Sequence, residues 1–111
     1  LRAGTREATI SIRGPLPELD DTKGVADIYA GVQALAALNV SVAALDYSKQ
    51  MGLIWTDSQG CRVAFGTGPD MAPRWEAYHA VLQHCAALGV IPQAVDARFP
   101  GGVSYALERT W

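Results

Sequence analysis

Two stretches of the chain repeat their apolar residues at helical spacing. In the first, Val25, Ile28, Tyr29, Val32, Leu35 and Ala36 recur in steps of three and four and make one apolar stripe. The spacing predicts a helix from about Lys23 to Leu38. Asp20-Asp21-Thr22 supplies acceptors for the free amides of its first turn. Asn39 tolerates the left-handed conformation that ends helices. In the second stretch, Trp75, Tyr78, Leu82, Cys85 and Ala86 form the stripe with Val81 beside it, while Glu76, His79 and Gln83 lie opposite. This predicts a helix from Ala72 to Leu88, with Asp70 as N-cap and Gly89 as its stop.

The remaining apolar runs alternate. Residues 7–13 carry Thr9, Ile10 and Ile12 and read as a strand, ended by Pro15 and Pro17, which cannot donate to a ladder. Strands follow at 40–48, 52–57 and 61–66, the last two joined by Ser58-Gln59-Gly60. Cys61, Val63 and Phe65 share one face and Arg62 and Ala64 the other, the pattern of a half-buried antiparallel sheet. Residues 92–99 predict a strand with Val95, Ala97 and Phe99 on one face and Asp96 and Arg98 on the other. Asp96 and Arg98 there make an ion pair or cross-strand contacts. Pro100-Gly101-Gly102 turns the chain into a last strand, 103–108, along which Val103, Tyr105 and Leu107 alternate. The order is β-α-β-β-β-α-β-β. It predicts an α+β domain, a mostly antiparallel sheet with two helices packed on one face.

Composition narrows the classes. A length of 111 residues suits one domain, so 1–111 is read as a single unit; half of the residues are hydrophobic, enough for a core. Net charge is −2 and the nine basic residues are scattered, which leaves no footprint for nucleic acid. No apolar run approaches the ~20 residues that span a bilayer. An opening Leu1 rather than Met leads us to expect a longer parent chain. Cys61 and Cys85 belong to no CxxC pair. They are two buried thiols, or one disulfide if the Cys61 face packs on the second helix.

Candidate chemistry is sparse. Gly66-Thr67-Gly68 lies between a strand and a helix, as in many phosphate loops. But Met71 stands where a dinucleotide fingerprint needs a third small residue, Pro69 lacks an amide, and Asp70 puts a negative charge at the helix start. His79 and His84 are five apart, off the four-residue spacing of two zinc ligands on one helix face. None of the serines sits in GxSxG. No catalytic, cofactor-binding or metal-binding residue is assigned. The feature that stands out is the terminal strand. Such a strand is often an edge, and an edge can accept a strand from a partner.

Several segments in order resemble the extracytoplasmic β-domain of the FtsQ/DivIB cell-division family. They are LIWTDSQGCRVAFG at 53–66, Arg74-Trp75 and Val81-Leu82 in the second helix, and VDARFPGGVSY at 95–105. PLPELDD at 15–21 and LNVSVAALDYS at 38–48 agree more loosely, so the resemblance covers roughly 15–108. Ala97 stands where a larger aliphatic residue is common, and Phe99 where tyrosine is common. The resemblance implies a non-catalytic divisome scaffold that acts at the cell membrane, on its extracytoplasmic side, with an anchor and a POTRA domain outside this chain. It implies partners of the FtsB/DivIC type and the FtsL type, and no cofactor. The partner would add a strand along the last strands, at Arg98, Phe99, Gly102, Val103, Ser104, Tyr105 and Leu107. Arg98 would meet an acidic partner side chain and Trp111 is either an aromatic anchor or a frayed end. Two other classes compete: a POTRA-like transport or secretion module, and a small ligand-binding or enzymatic domain with a pocket around His79, His84 or Asp96.

Overall fold

A computed structural model describes residues 2–4, 9–14, 22–40 and 44–108. In chain order the elements are β1 (Arg2–Gly4), β2 (Thr9–Arg13), α1 (Thr22–Ala37), β3 (Ala44–Ser48), β4 (Gly52–Thr56), β5 (Arg62–Gly66), α2 (Ala72–Leu88), β6 (Ala94–Asp96), a 3-10 turn (Pro100–Gly102) and β7 (Ser104–Ala106). The fold is α+β. Among the described residues the strands form one seven-stranded sheet in which spatial order equals chain order, β1 through β7.

The sheet is mixed. β2 pairs with β3 in parallel, and β5 with β6, while the other four neighbouring pairs are antiparallel. Each parallel pair is bridged by a helix, because a parallel return must carry the chain back along the length of the strand. β2, β3, β5 and β6 therefore run one way, and β1, β4 and β7 the other.

Both helices bury against one face. Ile28, Val32 and Leu35 of α1 and Tyr78, Val81 and Cys85 of α2 join Leu45, Leu53, Val63, Phe65 and Val95 of the sheet in a single core. The buried positions of α1, Ile28, Gly31, Val32 and Leu35, follow the helical period. Tyr29 lies at the border of that stripe and is exposed. α2 ends as its sequence predicts, with Gly89 left-handed and its amide on the carbonyl of Ala86. Its start differs. The N-cap is Met71, whose side chain is fully buried, and Asp70 is exposed. Core packing of the methionine, rather than a carboxylate cap, sets that end.

Other differences have local causes. β1 was not anticipated, and the strand expected over 7–13 is described only from Thr9. The strand expected over 40–48 is described only over 44–48, with Val40 buried just after α1. The strand expected over 92–99 holds its ladder only at Ala94–Asp96. Ala97 still donates its amide to Ala64, but the amide of Gly102 closes onto the carbonyl of Phe99 and curls the chain away. Phe99 is consequently 63% exposed and does not share the buried face of Val95 and Ala97. Asp20, Asp21, Pro15, Pro17 and Trp111 lie outside the described residues.

The face opposite the helices is not simply solvated. Ile54, Ala64 and Ala94 are buried on it. Arg62 reaches from β5 across β4 to pair with Asp46 of β3, which also accepts from Arg13 of β2 at 2.9 Å. One carboxylate thus ties β2, β3 and β5 together.

Candidate protein-interaction site

β7 is the last strand of the sheet. It lies antiparallel to β6, with Val95 opposite Tyr105 and Asp96 opposite Ser104. Its other side has no neighbouring strand among the described residues. Ser104 and Tyr105 are exposed and Val103 is half-buried against the core. Tyr105 meets the His84 ring of α2 edge-on, with centroids 5.8 Å apart. Phe99, Tyr105 and Leu107 are large apolar side chains left at the surface. The alternation expected over Val103, Tyr105 and Leu107 is therefore not one of burial, since α2 meets Tyr105 only through the exposed His84 ring.

An open cleft of about 270 Å³ is lined in part by Tyr47, Lys49, Gly66, Arg74, Arg98 and Phe99, and by no residue of β7. It sits where β3, β5 and β6 end, so three parallel strands deliver their following residues to one place. Three of its side chains are cations. Arg74 grips the strand-to-helix turn, its Nη1 donating to the carbonyls of Phe65 and Thr67 at 2.8 and 2.7 Å. The Gly66-Thr67-Gly68 segment is thus latched by an arginine side chain.

Arg98 is held more fully. Its Nε donates to Asp96 Oδ1 at 2.9 Å, its Nη2 to Asp96 Oδ2 at 2.8 Å, and its Nη1 to the carbonyl of Gln50 in the β3–β4 turn. The guanidinium carbon is 5.2 Å from the Phe99 ring centre. Hydrogen bonding from Arg98 lowers the Asp96 pKa below the ordinary carboxylate value, and the same bond raises that of Arg98. Of the residues the sequence marks, the structure brings Arg98 and Phe99 to the cleft, places Ser104 and Tyr105 in the edge strand, and leaves Leu107 in the bend just past it. Gly102 lies in the 3-10 turn, with open space where a Cβ would project. The sequence gives neither Lys49 nor Arg74 a role at a site, although Arg74 stands in one of the resembling segments, because only the meeting of strand ends brings them to the cleft.

The histidines do not converge. His79 packs edge-on against Trp75 at 4.5 Å, and His84 against Tyr105. Among the described residues no three His, Cys, Asp or Glu side chains gather as a metal site. Cys61 and Cys85 are free thiols buried in the core. Asp57 organises the β4–β5 turn, accepting from the amides of Gln59 and Cys61 and, at 2.6 Å, from the Tyr78 hydroxyl.

Burial, then the Asp57 charge, pushes the Cys61 thiol from 9.0 up to about 12. Burial and the bond to Asp57 also push the Tyr78 phenol above its usual 10.0. Both groups hold their protons more tightly folded than unfolded. The Cys61 contribution is full below pH 9 and falls as pH rises toward 12, while that of Tyr78 falls only above pH 10.0, by at most about 1.4 kcal/mol per pH unit for each group. The urea midpoint should therefore drop between pH 8 and pH 10.5. The drop should shrink in Cys61→Ala, and an unchanged alkaline slope in that variant would show that the thiol is not a source of it.

No protein-family model matches the chain, and no curated protein matches it. Among the described residues no helix is long and apolar enough to cross a membrane.

Proposed function

We propose that this chain is a non-catalytic scaffold domain of bacterial cell division, of the FtsQ/DivIB kind, which recruits partner membrane proteins by strand addition at β7. The observation that carries the proposal is the place of β7, last in the sheet, with exposed Phe99, Tyr105 and Leu107 around it. An extended partner segment would gain affinity from backbone hydrogen bonds to the open side of β7, and selectivity from alternate side chains. Open space at Gly102 lets a partner backbone come close. Val103 and Ser104 lead into the edge, while the Arg98 guanidinium turns away from it toward the β3–β4 turn. The partners are of the FtsB/DivIC and FtsL type. The setting is the extracytoplasmic side of the cell membrane, with the anchor supplied by a longer parent chain.

The test is a titration of the amide NMR spectrum with an extended FtsB/DivIC-type peptide from the same organism. Shifts should centre on residues 98–107, and Tyr105→Asp should weaken binding at least about tenfold while leaving the rest of the spectrum in place. A folded domain that shows no shift at large peptide excess would refute strand addition at this edge.

A further inference from the structure

Two arginines of the cleft approach each other over bare backbone. A Cβ built at Gly66 would lie 3.3 Å from Arg74 Nη1 and 3.5 Å from Arg98 Cγ, so glycine leaves both side chains room at one point of the lining. Their donors are not all used. A guanidinium carries five N–H groups, one on Nε and two on each terminal nitrogen. Arg74 donates through Nη1 alone, to the carbonyls of Phe65 and Thr67 and to the Met71 sulfur. Its Nε–H and both Nη2–H groups meet no acceptor among the described residues. Arg98 keeps one N–H on each terminal nitrogen beyond its bonds to Asp96 and Gln50.

Charge at the cleft is unbalanced as well. Among the described residues no carboxylate comes within ion-pair distance of Arg74 or Lys49, while Arg98 has Asp96. Three cations against one carboxylate leave two positive charges on a chain whose net charge is −2. Arg74 is half-buried and ends on neutral carbonyls, which do not offset its charge. A concave surface lined by one sign of charge focuses its field on an ion of the other. The strand-to-helix turn adds no backbone cradle, since the Gly66 amide donates to the Met51 carbonyl and the Gly68 amide to that of Asp27. An anion in this cleft is held by side chains.

We propose that the cleft binds a small phosphomonoester, with Arg74, Arg98 and Lys49 on its phosphate and Tyr47 and Phe99 against its carbon group. A phosphomonoester carries close to two negative charges at neutral pH, which matches the two unbalanced cations. A carboxylate or a phosphodiester carries one. Guanidinium N–H pairs suit phosphate oxygens in two-point contacts, and Lys49 adds a flexible point charge. The volume of about 270 Å³ is below the ~300–1,000 Å³ of drug-sized sites, so the group on the ester is small. A free metabolite and the headgroup of phosphatidic acid both present this chemistry. No residue of β7 lines the cleft, so the site stands or falls apart from strand addition.

The test is an NMR titration of this chain at neutral pH with glycerol 3-phosphate, and with dimethyl phosphate and acetate as monoanions. Glycerol 3-phosphate should move the amides of Gly52, Gly66 and Thr67 and the Nε–H of Arg74. It should bind at least about tenfold more tightly than either monoanion. Lys49 is exposed and makes no ion pair among the described residues, so Lys49→Gln leaves the fold intact and should weaken binding about threefold. Arg74→Lys keeps the charge, loses the fork and should weaken it about tenfold. Because Arg74 also latches the turn, Lys49→Gln reports if that variant fails to fold. Phosphatidylcholine vesicles with and without phosphatidic acid identify the source. Capture by the acidic vesicles that glycerol 3-phosphate competes away supports a lipid headgroup, and binding of the soluble ester without capture supports a free metabolite. The proposal is overturned by acetate binding as tightly as the phosphomonoester, by shifts that avoid the cleft, or by no saturable shift at all. Full affinity in both variants overturns it too.

Discussion

Gly52→Ala should lose at least about 3 kcal/mol of folding stability, enough to leave a domain of this size marginal. Gly52 opens β4 with a φ of 70°, and a Cβ built there would fall 2.4 Å from Gly66 Cα and 2.5 Å from its carbonyl carbon. Those atoms are backbone and cannot swing aside. The register of β4 on β5 shifts at this point, where Gly52 and Leu53 both face Gly66. Two glycines in contact are what let the strands close there. The methyl would part the strands at the mouth of the cleft, so the loss should reach the site as well as the fold. Urea unfolding, at a slope of about 1–3 kcal/mol per molar, would show the change as a midpoint lowered by one molar or more. Gly60→Ala is the control. It has a similar φ of 84° but nothing within 4 Å of the new carbon, so it should lose only about 1 kcal/mol. Equal losses in the two variants would mean that conformation, not the contact between strands, is the cause.

Phe65→Ala should be the other large effect, about 3–5 kcal/mol, the range for removing a buried aromatic ring. Phe65 is fully buried. Its ring centre is 6.3 Å from that of Trp55, 6.0 Å from Trp75 and 6.4 Å from Tyr78. These rings join β4 and β5 to the first half of α2. Trp55 and Trp75 are themselves only half-buried, so a void beneath them admits water. Tryptophan fluorescence should shift to the red, and the urea midpoint should fall with it. Phe65→Leu refills much of the volume and should cost about 1.5 kcal/mol or less. If alanine costs no more than leucine, the rings do not depend on Phe65 for their packing.

Local pattern carried much of this fold. The second helix falls on the span that its apolar period and Gly89 mark, Ala72–Leu88. Cys61, Val63 and Phe65 alternate into the core as their spacing predicts. The parallel pairs were not read, although a signal was present: each helix stands between two strands, and a single helix long enough to span the sheet returns the chain to run parallel. Alternation from Val95 and Ala97 puts Phe99 on the same strand face as those two residues. The hydrogen bond from Gly102 to Phe99 breaks that alternation, and a backbone turn of that kind leaves little trace in hydrophobic period.

The edge strand was half legible. A terminal run of Val103, Tyr105 and Leu107 is a strand by composition, but only the sheet order places it outermost. The cleft was not legible at all. Lys49, Gly66, Arg74 and Arg98 are spread over half the chain and belong to a turn, two strand ends and a helix.

The sequence by itself determined the two helices, the buried face of β5 and much of the core that joins them. These depend on neighbours within a few positions, whose side-chain directions follow from the backbone period. Only the tertiary structure decided that the sheet is mixed, that Arg98 crosses Gly66 to lock onto Asp96 and Gln50, and that three cations share one cleft. Those follow from which strand ends meet, and that is set by how the two helices carry the chain back across one buried face.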